Sequence, residues 1–382
     1  MRAMILAAGY GTRLWPLTID RAKPALPFMG RPLVGYVAEY LAQFGCREIA
    51  VNLHHQAESV RAALGDGAAF GVRLRYFDEP TILGTSGALD NAREFLANDT
   101  CIVVNGKIAT NINLHEALAT HRRARALATL VLRRNVERER YSIVHVRDNL
   151  VEHFGGFPAP ASDKVRDANS VPPSSENGAA STEQRAANSS QRSAIGDQQS
   201  TSSEQQAASR KPQAAIEEST IEAPPLMFTG IHILEPRLFD FIPRGVFSDT
   251  IKHVYPPAMR AGERIAAHIA TGYWYELSTV RRYLDTSLAL MRRDGRDVEL
   301  GPGANIEPGA DVRDAVLWAD VHIAAGARVR RAVLGAGVRI LAGEAIENAA
   351  VVRAELVCAV ERPAKGLTGT IQGENFVAPL AQ

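Results

Sequence analysis

The order of hydrophobic and polar positions divides the chain into short strands that alternate with longer helices. Short runs of apolar, β-prone residues predict strands at 3–6, 48–53, 74–77, 101–104 and 129–132. Apolar residues at helical spacing predict helices at 33–44, 56–64, 86–96 and 114–124. This alternation is typical of βαβ units, so we predict a Rossmann-like α/β domain with a mostly parallel sheet.

The pattern disappears between about residues 158 and 224. Ser, Ala, Gln, Asn, Glu and Arg dominate this stretch, and it contains no aromatic residue. Such a segment cannot bury enough apolar surface to offset the entropy of ordering, so we predict a disordered insertion. Order returns with a strand at 226–234 and continues to a helix at 280–291. The insertion is therefore expected to interrupt one domain, residues 1–297.

The last part of the chain, residues 298–382, has a different rhythm. From Gly301 to about Pro363, aliphatic residues recur at near-hexapeptide spacing, with glycine at the corners. This is typical of a parallel β-helix, in which each short face contributes one inward aliphatic residue. Ordinary antiparallel strands are the alternative, because the repeat is short and irregular. The open end of such a coil is a plausible contact for a homo-oligomer.

Composition narrows the class of protein. The 382 residues are 46% hydrophobic and carry a net charge of +1, so we expect no general attraction to nucleic acid or to an anionic membrane. The three cysteines lie far apart, which suits a reducing compartment and gives no metal-site spacing. Because a predicted strand follows Met1 almost at once, we expect no leader, and the sequence contains no apolar run long enough to span a bilayer. We therefore expect a cytoplasmic enzyme.

The segment after the first strand carries the main chemical signal. Residues 6–27 read LAAGYGTRLWPLTIDRAKPALP. Gly9 and Gly11 allow positive φ and close backbone approach, so that successive N–H groups can face an anion. Arg13 offers a planar fork for phosphate oxygens and Lys23 a point charge. The segment is neither a Walker loop nor a dinucleotide fingerprint, and a nucleoside triphosphate is the ligand that it predicts.

The string G-x-G-T-R-L-x-P-L-T followed by K-P-x-x-P resembles the signature of the sugar-1-phosphate nucleotidylyltransferases, especially the mannose-1-phosphate guanylyltransferase-like branch. The resemblance implies that a sugar 1-phosphate attacks the α-phosphorus of a nucleoside triphosphate and that pyrophosphate leaves, normally with Mg²⁺. GTP and mannose 1-phosphate are the leading pair. The C-terminal rhythm resembles the left-handed hexapeptide-repeat coil that is often attached to these transferases.

The resemblance also assigns roles to single residues. It places Arg13 at the leaving pyrophosphate and Lys23 near the α-phosphate. It assigns nucleotide binding to Leu6, Ala8, Gly9, Gly11, Thr12, Glu79, Gly84 and Thr85, and sugar binding to Asn111, Thr229 and Gly230.

The resemblance places Glu79 near the edge of the base, where a carboxylate can accept hydrogen bonds from the amide and amino groups of guanine. Thr85 or Ser86 could instead cap the helix that follows, and a dual role is compatible with both observations.

The sequence departs from the family pattern at three sites. Lys107 stands where the first metal-binding aspartate is expected, and a protonated lysine does not ligate Mg²⁺. Glu276 replaces the second aspartate and is the one remaining candidate metal ligand. Gly156 and Phe157 replace the glutamate and lysine of F-x-E-K-P, which bind the sugar and its phosphate in the family.

These departures leave two hypotheses open. In the first, the protein is an active nucleotidylyltransferase in which the Lys107 ammonium supplies part of the charge of the metal and Glu276 holds a looser ion. In the second, it is a non-catalytic relative that binds a nucleotide or nucleotide sugar and regulates a partner. A purely structural repeat scaffold is less favoured, because it would leave the Gly9 loop unexplained.

Overall fold

The structure is a computed structural model that describes residues 1–157 and 223–380. The predicted insertion, about 158–224, lies outside the described residues apart from its last two positions. The described parts before and after it form one compact unit. No helix in these two parts is long and apolar enough to cross a membrane.

The first part of the unit combines strands and helices, and the last part is almost entirely strands. The strands of the first part are β1 Arg2–Leu6, β2 Pro27–Phe28, β3 Arg31–Pro32, β4 Glu48–Leu53, β5 Arg73–Asp78, β6 Cys101–Asn105, β7 Ile108–Thr110, β8 Ala128–Arg134, β9 Val144–Arg147, β10 Leu150–Phe154, β11 Leu226–Leu234, β12 Ile265–Ile269 and β13 Trp274–Glu276. Its helices are α1 Leu33–Gln43, α2 Ala57–Leu64, α3 Gly84–Asn91, α4 Arg93–Leu96, α5 Leu114–Ala124, α6 Tyr255–Arg260 and α7 Val280–Arg293. The last part contains β14 Val298–Leu300, β15 Asn305–Ile306, β16 Asp311–Leu317, β17 His322–Ile323, β18 Arg328–Leu334, β19 Arg339–Ile340, β20 Ala345–Arg353, α8 Ala354–Cys358, β21 Thr370–Gln372 and β22 Asn375–Pro379.

The central sheet has nine strands in the order β5-β4-β1-β6-β11-β8-β12-β10-β9. Strands β11 and β10 run against the others, so the sheet is mostly parallel, as predicted. Leu6, at the end of β1, pairs with Asn52 of β4 and with Asn105 of β6. The carboxyl ends of three neighbouring strands therefore meet at one edge, which is where ligands bind in sheets of this kind.

Helices cover both faces of this sheet. Ala3 and Ile5 of β1 belong to a buried cluster under α1, α2 and α5, whereas Met4 belongs to a second cluster under α3, α4 and α6. Both faces of β1 are thus buried, as is typical of an inner strand of a parallel sheet. The resulting three-layer α/β fold holds the loop after β1 at the edge of a rigid core.

Most predicted elements of the first part occur, and one prediction was wrong. The helix predicted at 86–96 is two helices, α3 and α4, which are separated at Ala92. Arg93 donates hydrogen bonds to the carbonyl oxygens of Phe239 (2.7 Å) and Ile242 (3.1 Å), which are tertiary contacts that helical periodicity does not reveal. The short strands β7 and β13 were not predicted either, because they contain too few positions to show alternation.

The last part contains two sheets to which the chain contributes strands alternately, and strands β14–β20 pair in parallel within both. In the first sheet, Val298 of β14 pairs with Ala315 of β16, which pairs with Ala332 of β18. In the second, Asn305 of β15 pairs with His322 of β17. Each pairing joins residues 17 positions apart, so every turn of the chain adds one strand to each sheet. Antiparallel strands, the alternative, are therefore wrong for β14–β20 and occur only where β22 pairs with β20 and β21.

The last part packs directly on the loop that follows β1. One buried cluster includes Leu14 and Trp15 of this loop together with Trp318 and Phe376. The rings of Trp15 and Phe376 lie 5.3 Å apart, and the Leu367 N–H donates to the carbonyl oxygen of Trp15 at 3.4 Å. The C-terminal strands thus support the glycine loop from behind.

Candidate functional site

The glycine loop makes a tight turn at the edge of the sheet. Gly11 has φ +66°, and the following residues form a 3₁₀ turn closed by a hydrogen bond from the Leu14 N–H to the Gly11 carbonyl (2.8 Å). A Cβ at Gly11 would lie 3.2 Å from the side chains of Thr18 and Lys23, so glycine lets Lys23 pack under the loop. Gly9 does not have positive φ, contrary to expectation, and open space lies beside it. Gly11 provides the turn, and Gly9 leaves room for a ligand.

A small pocket of about 200 Å³ opens next to this loop. Its floor is formed by the carboxyl ends of β1 and β6, and its wall by the 3₁₀ turn Lys23–Ala25. The residues that line it are Leu6, Ala7, Gly9, Lys23, Pro24, Asn105, Gly106 and Lys107. The structure therefore brings Lys23 and Lys107 to one pocket, beside the predicted loop.

The cations of this pocket are close enough to influence one another. Burial, followed by the neighbouring Lys107 ammonium and then Arg13, lowers the pKa of Lys23 to about 8, although Glu276 acts in the opposite direction. Arg13 is exposed and makes no hydrogen bond or ion pair with the described residues. Lys23 and Lys107 line the pocket, Arg13 lies near enough to act on Lys23, and Glu276 offsets one of these three positive charges. The remaining positive charge favours an anion, and a polyphosphate has the matching sign.

Lys107 and Glu276 form an ion pair at the border of the pocket. The other oxygen of Glu276 accepts a hydrogen bond from the Tyr141 hydroxyl (2.7 Å) and lies 3.7 Å from Arg282, which in turn bonds to Glu139 (2.6 Å). Burial acts to raise the pKa of Glu276, but the Lys107 ammonium and the hydrogen bonds from Lys107 and Tyr141 lower it to about 2. Glu276 is thus a buried carboxylate whose two oxygens both have partners.

These residues do not fit a magnesium ion. Mg²⁺ takes oxygen ligands in an octahedral shell, usually from one or two carboxylates. Glu276 is already neutralised by Lys107, and the ammonium occupies the place where a second carboxylate would be needed. No group of three His, Cys, Asp or Glu side chains that could hold a metal occurs in residues 1–157 and 223–380.

Glu79 is more deeply buried than its predicted role at the base requires. The residue is only 3% exposed, and its two side-chain oxygens accept hydrogen bonds from the Asn52 amide (2.7 Å) and the Leu83 N–H (3.0 Å). Asn52 in turn accepts a hydrogen bond from the Ala7 N–H (2.8 Å). Glu79 therefore ties the glycine loop to the segment before α3. Asn52 was missed, although a polar residue at the end of an apolar strand could have indicated it.

The segment at the start of α3 is fixed by a distant loop. Gly84 has φ +74°, and a Cβ there would lie 2.4 Å from the Ser248 carbonyl oxygen. The Thr85 hydroxyl accepts a hydrogen bond from the Thr250 N–H (2.9 Å), and Ser86 bonds to the Ser248 hydroxyl (2.7 Å). No side chain caps α3, so the expected capping by Thr85 or Ser86 is wrong.

The predicted sugar-binding residues are tied to their neighbours. The Thr229 hydroxyl donates to the Val131 carbonyl (2.7 Å), and Asn111 accepts from the Tyr273 N–H (2.7 Å). Gly230 has φ +85°, and a Cβ there would lie 2.2 Å from the Asn105 amide nitrogen. The last contact links this group to the pocket, because Asn105 lines it.

The two residues that replace E-K of the family pattern offer no charge. Phe157 is 55% exposed, and the Arg140 guanidinium lies 4.9 Å from the centre of its ring. The Gly156 carbonyl accepts a hydrogen bond from the Ile143 N–H (3.2 Å), which continues the hairpin of β9 and β10. The structure does not bring Phe157 into the pocket of Lys23 and Lys107.

Comparison with curated proteins finds sugar-1-phosphate nucleotidyltransferases with different substrates. UTP–glucose-1-phosphate uridylyltransferase of Synechocystis is 26% identical over 320 residues, which are 81% of this chain and 68% of the relative. Mannose-1-phosphate guanylyltransferase of Mycobacterium tuberculosis is also 26% identical over 320 residues, which are 81% of this chain and 72% of the relative. N-acetylmuramate α-1-phosphate uridylyltransferase of Neisseria meningitidis is 41% identical over 121 residues, which are 31% of this chain and 52% of the relative.

A solved structure has a similar fold, and a family model matches most of the chain. The structure of HddC from Yersinia pseudotuberculosis, in complex with GMP-PN, superposes with a TM-score of 0.53 at 16% identity and covers 76% of this chain and 99% of that protein. The family model for nucleotidyl transferases matches residues 2–293. A match of this extent means that the chain belongs to the nucleotidyl transferase family, and its relatives are sugar-1-phosphate nucleotidyltransferases that differ in nucleotide and sugar.

Proposed function

We propose that this protein makes a nucleoside diphosphate sugar and pyrophosphate from a nucleoside triphosphate and a sugar 1-phosphate. GTP and mannose 1-phosphate are the leading pair, and the relatives that use UTP make uridine nucleotides the next to test. The observation that carries this proposal is the convergence of Lys23 and Lys107 on a pocket beside the glycine loop, at the carboxyl ends of β1 and β6.

The reaction needs positioning and positive charge rather than a covalent nucleophile. An ionised oxygen of the sugar phosphate attacks the α-phosphorus, the bond from this phosphorus to the bridging oxygen breaks, and pyrophosphate leaves with the electron pair. In this proposal Arg13 neutralises the leaving pyrophosphate and Lys23 binds the α-phosphate. Support comes from the exposed guanidinium of Arg13, which has no hydrogen-bond or ion-pair partner in the described part of the chain, and from the partial burial of Lys23 at the base of the loop.

In our proposal the nucleotide and the sugar lie on opposite sides of the positive charges of Arg13 and Lys23. The nucleotide contacts Leu6, Ala8, Gly9, Gly11, Thr12, Gly84 and Thr85. Glu79 acts mainly by holding the loop in place, because both of its oxygens have protein partners. Asn111, Thr229 and Gly230 shape the sugar side, supported by the contact of Gly230 with Asn105 of the pocket. Because magnesium does not fit Lys107 and Glu276, the protein itself holds no metal in this proposal.

We further propose that residues 298–382 are a left-handed hexapeptide-repeat β-helix attached to a transferase domain of residues 1–297. Two alternating parallel sheets with a constant pairing offset of 17 residues support a coil. The coil is also our proposed site of homo-oligomer contact. Light scattering of the full chain tests the proposed oligomer.

The decisive experiment measures pyrophosphate release for pairs of nucleoside triphosphate and sugar 1-phosphate. One pair should turn over, and Arg13→Ala should lower the rate roughly 10- to 100-fold, because it removes a charge-assisted contact. Arg328→Ala, at an exposed position of β18, is the matched control and should leave the rate unchanged.

The second candidate is a regulatory protein that binds a nucleotide without turnover. The pairing of Glu276 with Lys107 favours it, because it leaves no free carboxylate at this place. Calorimetric titration of GTP and UTP alongside the assay separates the two candidates. Binding without turnover of any pair would refute the enzyme and support the regulator.

A further inference from the structure

The backbone around Lys107 is held on both sides, so its side chain has a defined place. The Gly106 N–H donates to the Leu6 carbonyl (2.9 Å), and a Cβ at Gly106 would lie 3.0 Å from the same oxygen. The carbonyl of Lys107 accepts a hydrogen bond from the Leu277 N–H (3.0 Å) beside β13. The β6–β7 turn therefore presents Lys107 at the rim of the pocket and next to Glu276.

The partners of Glu276 differ in how freely they can move. The Glu276 side chain is 8% exposed and the Lys107 side chain 28% exposed. On the side away from the pocket, the Tyr141 hydroxyl and Arg282 approach the second oxygen of Glu276, and Arg282 is anchored by Glu139. If Lys107 moved away, Glu276 would still have a hydrogen bond and a nearby positive charge, which a buried carboxylate requires.

We infer that Lys107 is a catalytic cation. When a nucleotide binds, the ammonium of Lys107 leaves Glu276 and contacts the phosphate oxygens, in the place where relatives of this fold would need a protein-held metal. The inference rests on the proposed nucleotide site. Lys107 lines the pocket together with Lys23, and its four-carbon stem lets the ammonium turn from the border of the pocket into it. Its N–H groups donate to non-bridging phosphate oxygens, so no proton is transferred. The bond between the α-phosphorus and the bridging oxygen breaks, and pyrophosphate leaves, as in the proposed reaction.

A purely structural ion pair is the competing explanation. In that case Lys107 and Glu276 only hold neighbouring segments together, so neither Lys107→Met nor Glu276→Gln should change the nucleotide affinity of the folded protein. Under our inference the two variants differ. Glu276→Gln releases the ammonium and keeps it in the pocket, whereas Lys107→Met removes the ammonium and leaves a negative charge that repels phosphate.

The first test is calorimetric binding of GTP and UTP to the full chain, in EDTA and in Mg²⁺. We expect the wild type to bind in EDTA and Glu276→Gln to bind at least as tightly. The double variant Lys107→Met/Glu276→Gln should bind about 10- to 100-fold more weakly than Glu276→Gln, because the two differ only in the ammonium. Lys365→Met, at an exposed position near the C-terminus, is the matched control. Equal affinity of the double variant and Glu276→Gln would overturn the inference.

The second test asks whether a metal can replace the ammonium. Lys107→Asp places a second carboxylate beside Glu276, so the ratio of nucleotide affinities in Mg²⁺ and EDTA should rise at least tenfold over that of the wild type. An unchanged ratio in a folded variant, checked by its melting temperature, would contradict the inference. Failure of every substrate pair to turn over would refute only the proposed reaction, because the binding comparison still decides the role of Lys107. Absence of nucleotide binding would refute both.

Discussion

The low pKa of Lys23 predicts that nucleotide binding depends on pH in a range where lysines do not ordinarily titrate. Burial and the neighbouring Lys107 ammonium lower the pKa of Lys23 to about 8, from an ordinary value of about 10.4. A bound phosphate stabilises the charged form, so the pKa rises in the complex and the affinity gained from Lys23 is fully present below pH 8. The gain is lost as the pH rises above this value.

The size of the effect follows from the charged fraction of Lys23. With a pKa of about 8, this fraction falls from roughly 90% at pH 7 to roughly 10% at pH 9. If only the charged form binds, the apparent dissociation constant for a nucleoside triphosphate rises about tenfold over this range. Binding near pH 8.5 should also take up a proton, which is measured by comparing the heat of binding in buffers with different ionisation enthalpies.

Calorimetric titrations of GTP at intervals between pH 7 and 9 test this reasoning. Lys23→Arg is the control, because a guanidinium remains charged throughout this range and its affinity should not change. Melting temperatures show whether the larger side chain is accommodated under the loop. A wild-type affinity that stays constant to pH 9, or an equal fall in Lys23→Arg, would refute the assignment to Lys23.

Three further predictions concern stability. Trp15→Ala should lower the free energy of unfolding by about 3–5 kcal/mol, because it empties the contact between the loop and the C-terminal strands. Phe157→Ala, at an exposed position, should change the free energy of unfolding by less than about 0.5 kcal/mol. If denaturant titration gave the same loss for Trp15→Ala and Phe157→Ala, the packing argument would be contradicted. Gly84→Ala should cost more than about 1 kcal/mol, since its Cβ meets the Ser248 carbonyl at positive φ; a wild-type melting temperature would refute this. Burial raises the pKa of Glu299, so the charged form destabilises the fold above that pKa. Glu299→Gln should therefore be more stable than the wild type at pH 7 and lose this advantage towards pH 4, and an advantage that is independent of pH would contradict the assignment.

The edge of the sheet at which the candidate site lies could be predicted from the sequence. Alternating strands and helices indicated a mostly parallel sheet, and the glycine loop followed its first strand. In such a sheet the carboxyl ends of neighbouring strands meet, and the pairing of Leu6 with Asn52 and Asn105 confirms this arrangement. The information is local, because each strand and the loop after it lie within a few residues of one another.

The partners of the site residues could not be predicted in this way. Thr85 and Ser86 stand where a helix cap is expected, yet they bond to Thr250 and Ser248, which lie more than 160 positions away. Glu79 has the chemistry of a base-recognising carboxylate, but Asn52 and Leu83 satisfy both of its oxygens. A residue type indicates which bonds are possible, and only the tertiary fold decides which of them form.

The pairing of Lys107 with Glu276 changes how the two departures from the family pattern are understood. Considered separately, Lys107 removes one expected metal ligand, and Glu276 keeps a carboxylate at the other position but with a longer side chain. The antiparallel pairing of β7 and β13 sets Glu276 opposite Ile108, so Lys107, the residue before β7, is close enough to form the ion pair, and each residue explains the other. A lysine beside Lys23 would add repulsion unless a carboxylate balanced it. The additional methylene of glutamate, compared with aspartate, also extends its oxygens farther from the strand towards the ammonium. Retention of an acid at position 276 is therefore explained by the charge of Lys107 and does not require a metal.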